Sequence, residues 1–315
     1  DYVIVRPNGD PLYTLTNPVD DAMMDVNVVL RGEDLLSSTP RQIVLYRYLM
    51  ELGVAKEMPV FGHMPYVMGE GKKKLSKRDP ESNLFLHREN GFIPEGLLNY
   101  LALLGWSIAP DRDVFSMQEM IEKFDVRDVK ANPAHFDLDK AISINAEHIR
   151  MLDADDFLRR SVPYLHRDGV VSADSWDALT DREREVLTAA VPLVQPRVRL
   201  LGEVSGMAGS LLSTEGYIEP DADARKQLKD SAGDVLDKAI AALRGVDEAD
   251  WKAEPLHALL DKALVEEGGY KPRLAYGPVR VAMSGRRVSP PLFESMEIVG
   301  KDVSLARLEG LRAHL

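Results

Sequence analysis

The sequence contains no cysteine. Neither a disulfide nor a thiolate metal site can form, and a reducing cytoplasm is the simplest home for the chain. No apolar run approaches the ~20 residues that cross a bilayer as a helix, so no membrane partner is expected. The seven histidines show no HExxH or comparable ligand spacing, and no protein-bound zinc or other metal is expected. No serine sits in a nucleophile elbow. Internal repeats and low-complexity segments are also missing. So is an initiator methionine: "DYVIVRPNGD" begins at once in strand-like alternation without a signal-peptide pattern, and it reads as the interior of a larger protein.

What is present is a globular composition, 45% hydrophobic and 29% charged over 315 residues, enough for two domains or three. The net charge is −12 and evenly spread: residues 1–150 hold 17 basic and 23 acidic side chains, residues 151–315 hold 22 and 28. Bulk charge therefore gives no support to nucleic-acid binding. Any such binding must use local basic patches.

One such patch stands out. "GEGKKKLSKRDPESN" places Lys72, Lys73, Lys74, Lys77 and Arg78 in seven residues, after two glycines and before Pro80. A solvated charge run is the plain reading. A loop over the carboxyl ends of parallel strands can instead close on a polyphosphate, with Lys74, Ser76 and Lys77 donating to an anionic leaving group. The Walker A spacing is absent.

The flanking segments supply that setting. Tyr2–Arg6 alternates as a strand, Asn8-Gly9 marks a hairpin turn, and Pro11–Thr16 continues as a strand. Asn17 then caps a helix with Pro18 at its first position. "VNVVLRG" reads as a buried parallel strand. In "TPRQIVLYRYLMELG" Thr39 caps, Gln42 completes a capping box and Gly53 stops the helix. "PVFGHMPYVM" is the next strand. Strand, helix, strand and basic loop in this order predict an α/β domain with parallel strands. Beyond Pro80 helical patterns dominate, among them "IPEGLLNYLALLG" and "SMQEMIEKF", with a capping box from Ser116 to Glu119. From about Asp153 nearly everything is amphipathic helix. Arg31, in "RGED" at a strand end, suits either a loop salt bridge or a bidentate grip on a carboxylate. Tyr13 and Asn17 lie four residues apart near the same junction.

Together, "PLYTLTNPVDD", "VLRGEDLLSSTPRQIVLYRYL" and "KLSKRD" resemble the second half of the bacterial glutamyl-tRNA synthetases, which are class I enzymes. "GFIPEGLLNYLALLGWS" and "PVRVAMSGRRVSPPLFESMEIVGKDVSLARL" are similar to later parts of the same family. The resemblance identifies Lys74-Leu75-Ser76-Lys77-Arg78 with the KMSKS signature, which closes over ATP and stabilises the departing pyrophosphate; Lys77 is the first expected contact and Lys74 the second. It implies that Arg31 binds the substrate's side-chain carboxylate, with Tyr13 and Asn17 completing the pocket and Asp34 and Leu35 beside it. ATP is the implied substrate, carrying Mg2+. The partners it implies are glutamate and tRNA(Glu), with a monomeric parent.

The family's HIGH signature does not occur in these residues. The resemblance thus implies the tail of an inserted acceptor-stem domain at 1–16, the second half of a Rossmann-like catalytic domain at 17–110, a helical stem-contact region at 111–150 and an all-helical anticodon-binding region at 151–315. It also implies that the chain alone does not activate glutamate. A tRNA-binding module without catalysis is the other function class these segments allow. In "LVQPRVRLL", Gln195, Arg197 and Arg199 fall in a segment similar to one that reads the anticodon. Stricter members have Arg where Gln195 stands, so charging of tRNA(Gln) as well is expected.

Overall fold

Two parallel strands need a crossover of a dozen or more residues between them, and the segment after Gly32 supplies one. The computed structural model describes residues 2–69, 73–76 and 78–315, with the backbone alone at Glu81. A short antiparallel turn comes first, with Val5 bridged to Pro11 and Gly9 at φ +90°. Helix α1 (Tyr13–Met23) follows, then strand β1 (Val28–Gly32), helix α2 (Thr39–Glu51) and strand β2 (Val60–Met64). β1 and β2 pair in parallel from Val28↔Val60 to Gly32↔Met64. Strand β3 (Val67–Met68) leaves that sheet at Pro65 and pairs in parallel with strand β4 (Ala134–His135). Proline has no N–H to continue the first ladder, so the single expected strand is two.

Two further expectations are corrected. Pro11–Thr16 is not a strand: α1 starts at Tyr13, and Asn17 lies inside the helix with Pro18 behind it. Residues four apart share a helix face, so Pro18 and Ala22 turn inward together toward the Tyr46, Leu49 and Ala55 cluster. Tyr13 and Asn17 share the neighbouring face. β1 is also less covered than its apolar run suggests. Val29 is buried, but Val28 and Leu30 are about half exposed, because the sheet has only two strands among the described residues.

The chain is an α/β region followed by an all-helical one. By contacts it forms two units: Asp1–Asn83 with Leu98–Leu138, and Leu84–Leu97 with Asp139–Leu315. In the front unit the capping box at Ser116 is formed, and Glu119 is held down at about 2 by the Ser116 backbone N–H and then by Arg112. The helical unit has two apolar clusters. One centres on Leu165, Leu187 and Leu211, the other on Leu236, Leu256 and Leu260. Arg307 is fully buried there and donates to the carbonyls of Ser210, Ser213, Glu215 and Met283 at 2.7–3.1 Å.

Candidate functional site

Arg31, one residue before the end of β1, lies directly beside His63 of β2, which sets its guanidinium against α1 and α2. Nη1 donates to Asn17 Oδ1 at 3.1 Å and, more loosely, to the Tyr13 hydroxyl at 3.5 Å. Nη2 donates to Thr39 Oγ1 at 2.8 Å and Gln42 Oε1 at 2.5 Å. Four uncharged oxygens thus surround the fork. The ring of Phe61 lies beneath it, 5.6 Å from the guanidinium carbon. Thr39 Oγ1 is also 2.9 Å from His63 Nε2. Tyr46 closes the floor; burial, and then the Asp21 charge, push its phenol up to about 12. No carboxylate of the described residues pairs with Arg31.

The structure therefore brings Tyr13, Asn17 and Arg31 together, and adds Thr39, Gln42 and His63. Thr39 and Gln42 suit helix caps by residue type, yet neither caps. Ser38 is the N-cap residue and makes no side-chain cap bond, while both side chains turn inward to the arginine. The signal that could have found them is the strand-end arginine itself, since a partly buried guanidinium needs acceptors.

In the basic loop, Lys73–Ser76 and Arg78 are described, whereas Lys72 and Lys77 lie outside the described residues, and with Lys77 the first expected ATP contact. Lys74 bridges Met68, and Leu75 N donates to Val67 O at 2.9 Å. The Lys74 ammonium is 3.1 Å from Asp34 Oδ2 and 4.1 Å from the centre of the Tyr66 ring. That hydrogen bond holds the Asp34 carboxyl below its usual range. Ser76 Oγ accepts from Arg78 N, and Ser76 N donates to Asp79. The loop is thereby tied to the turn that follows Arg31.

In the helical unit, Arg197 and Arg199 line an open groove of about 690 Å³ with Arg286, Asp168, Glu203 and Met207. Arg286 escaped the sequence reading. It crosses Gly206, where a Cβ would stand 2.8 Å from its Nη1. Gln195 does not line this groove. Its amide donates to Ile149 O and Leu152 O, both at 2.8 Å, closing the end of the helix Leu138–Met151. Both amide hydrogens are spent, so the expected donor-and-acceptor reading of a base reduces to Oε1 alone.

A parallel strand–helix–strand unit with a lysine loop beyond its strand ends, followed by a helical unit, is the architecture of a class I synthetase. Residues 1–142 match the family model described as tRNA synthetases class I (E and Q), catalytic domain, and residues 156–312 match the anticodon binding domain model. The chain belongs to the class I tRNA synthetases for glutamate and glutamine. It is 89% identical over 315 residues to the glutamate–tRNA ligase of Bifidobacterium longum strain DJO10A, covering 100% of this chain and 62% of that protein. To the ligase of Arthrobacter sp. strain FB24 it is 63% identical over 312 residues, covering 99% of this chain and 61% of the relative. Among solved structures it resembles a glutamate tRNA ligase from Elizabethkingia meningosepticum in complex with its amino acid, with TM-score 0.77, 25% identity, 100% of this chain and 62% of that one covered. The chain thus spans a little over three-fifths of the length of these relatives.

Proposed function

We propose that this chain carries the glutamate pocket, the signature loop and the anticodon-binding body of a cytoplasmic glutamate–tRNA ligase. Such an enzyme joins glutamate to ATP as glutamyl-adenylate and passes it to the 3′ end of tRNA(Glu). The observation that supports this reading is Arg31, a strand-end guanidinium with no carboxylate partner among the described residues and four neutral oxygens around it. A fork held so, with its charge unspent, recruits an anionic side chain. The weakest of its four contacts is the Tyr13 hydroxyl, and the glutamate carboxylate enters there, accepting from Nη1 and from the Tyr13 O–H. ATP brings Mg2+. When the substrate α-carboxylate attacks the α-phosphorus, negative charge builds on the departing pyrophosphate, and Lys74 and Lys77 meet it as the loop closes. The reaction needs positioning and charge stabilisation more than covalent help from the protein. Arg31→Ala in the complete ligase should raise the KM for glutamate roughly 10–100-fold, the loss of one charge-assisted contact, and leave the KM for ATP near its parental value. An unaltered glutamate KM would remove Arg31 from the pocket.

We further propose that both tRNA(Glu) and tRNA(Gln) are accepted. Their anticodons end in C and G respectively. With its N–H groups donated to Ile149 and Leu152, Gln195 offers only an acceptor, and both C and G present an amino group to one. Arg197, Arg199 and Arg286 hold the backbone without reading sequence. Charging the two tRNAs side by side is the check; strong rejection of tRNA(Gln) sinks the idea.

A further inference from the structure

We propose that Gln42 determines the preference for an anionic over an amide side chain by holding Arg31 while leaving its charge unneutralised; this rests on the glutamate-pocket reading above. Partly buried guanidinium groups usually acquire a carboxylate. Among the described residues, three acids of the neighbouring segments are committed elsewhere. Asp21 accepts from Asn17 Nδ2 at 2.9 Å, Glu33 from Tyr66 N at 3.3 Å, and Asp34 from Lys74 at 3.1 Å. The floor is neutral too, because the Tyr46 phenol is held protonated and Phe61 carries no charge.

Gln42 is fully buried in the first turn of α2. Its Oε1 accepts from Arg31 Nη2, and its Nε2 donates at 3.1 Å to Asn17 Oδ1, which also accepts from Arg31 Nη1 at 3.1 Å. One amide therefore fixes both nitrogens of the fork, one directly and one through Asn17. Few side chains can do this. A carboxylate has no hydrogen to give Asn17, and a thioether neither donates nor accepts well. A carboxylate at this place would also sit on Arg31 as a built-in competitor, since an intramolecular partner acts at a high effective concentration. Arg31 would then be no better disposed to glutamate than to glutamine. Neutrality of the cradle is thus a specificity device as much as a packing one. Gln42 is a positioning residue; it has no role in the chemical step.

The test is Gln42→Glu, nearly isosteric, in the complete ligase beside Gln42→Met and Arg31→Ala. With Gln42→Glu, the glutamate KM should rise about 100-fold or more while the ATP KM stays put. The ratio of glutamate to glutamine activation should fall at least ~10-fold, and the melting temperature should not drop. Gln42→Met adds no charge, so glutamate KM should rise only about tenfold, with the glutamate-to-glutamine ratio largely kept. A folded Gln42→Glu enzyme with parental glutamate KM and ratio overturns the proposal, provided Arg31→Ala is impaired. Should Gln42→Glu fail to fold, a Gln42→Met enzyme with parental glutamate KM does the same. If Arg31→Ala itself leaves glutamate KM alone, the pocket reading falls and the proposal with it.

Discussion

Lys74 shows how a lysine proposed to meet the departing pyrophosphate can wait. Its ammonium rests between the Asp34 carboxylate and the Tyr66 ring, and the ion pair with Asp34 is half exposed on both sides, so it is given up at little cost. Replacing Lys74 or Lys77 by alanine in the complete ligase should slow adenylate formation roughly 10²–10³-fold, the usual loss for a group that meets charge only as it develops. The glutamate KM should barely change. Pyrophosphate exchange at the parental rate in a folded variant would take that lysine out of the reaction. At this scale the family resemblance was more informative than residue type. It grouped Arg31, Tyr13 and Asn17, which the structure gathers, whereas type alone left Arg31 between a salt bridge and a grip and made Asn17 a cap. Gln42 and Thr39 were read as caps, because their types serve caps equally well and a side chain's direction is set by neighbours distant in sequence. For Gln195, likewise, nothing local says that its amide closes another helix.

Among elements, helix starts with their own chemistry were legible. Ser116 and Glu119 form the reciprocal cap their spacing requires. The helical rear follows from its 3.6-residue apolar period, as in the helices Ala154–Arg167 and Ala232–Arg244. Elements whose identity depends on a partner were not. "PLYTLT" has the composition of a strand, yet packing of Pro18 and Ala22 against α2 makes it the start of a helix, a tertiary contact overriding local preference. The apolar run through β1 gave the parallel pairing correctly. It said nothing about how many strands lie beside it, and so nothing about the exposure of Val28 and Leu30.

For the molecule as a whole, bulk charge was a poor guide: an acidic chain of net −12 still gathers three arginines about one groove. Its helical unit is organised around another arginine. Among the described residues no carboxylate pairs with the buried Arg307, and burial brings its guanidinium down to about 10, so it stays a cation at neutral pH. Four carbonyls satisfy it, three of them at or just past the end of the helix Val204–Leu212 and one from the helix Pro272–Ser284. Arg307→Leu would strand those carbonyls and should cost about 3–5 kcal/mol in denaturant unfolding. A loss below ~1 kcal/mol would show that water replaces the guanidinium freely. Leu211 and Leu212 beside the first carbonyls belong to one apolar cluster, and Met283 and Leu308 to the other, so this one side chain stitches two cores. Many proteins give such a junction to a bound metal, and accept with it a dependence on supply and on the oxidation of its ligands. A chain with no thiol anywhere has a covalently attached cation instead, which a chelator cannot strip and a change of redox state does not touch.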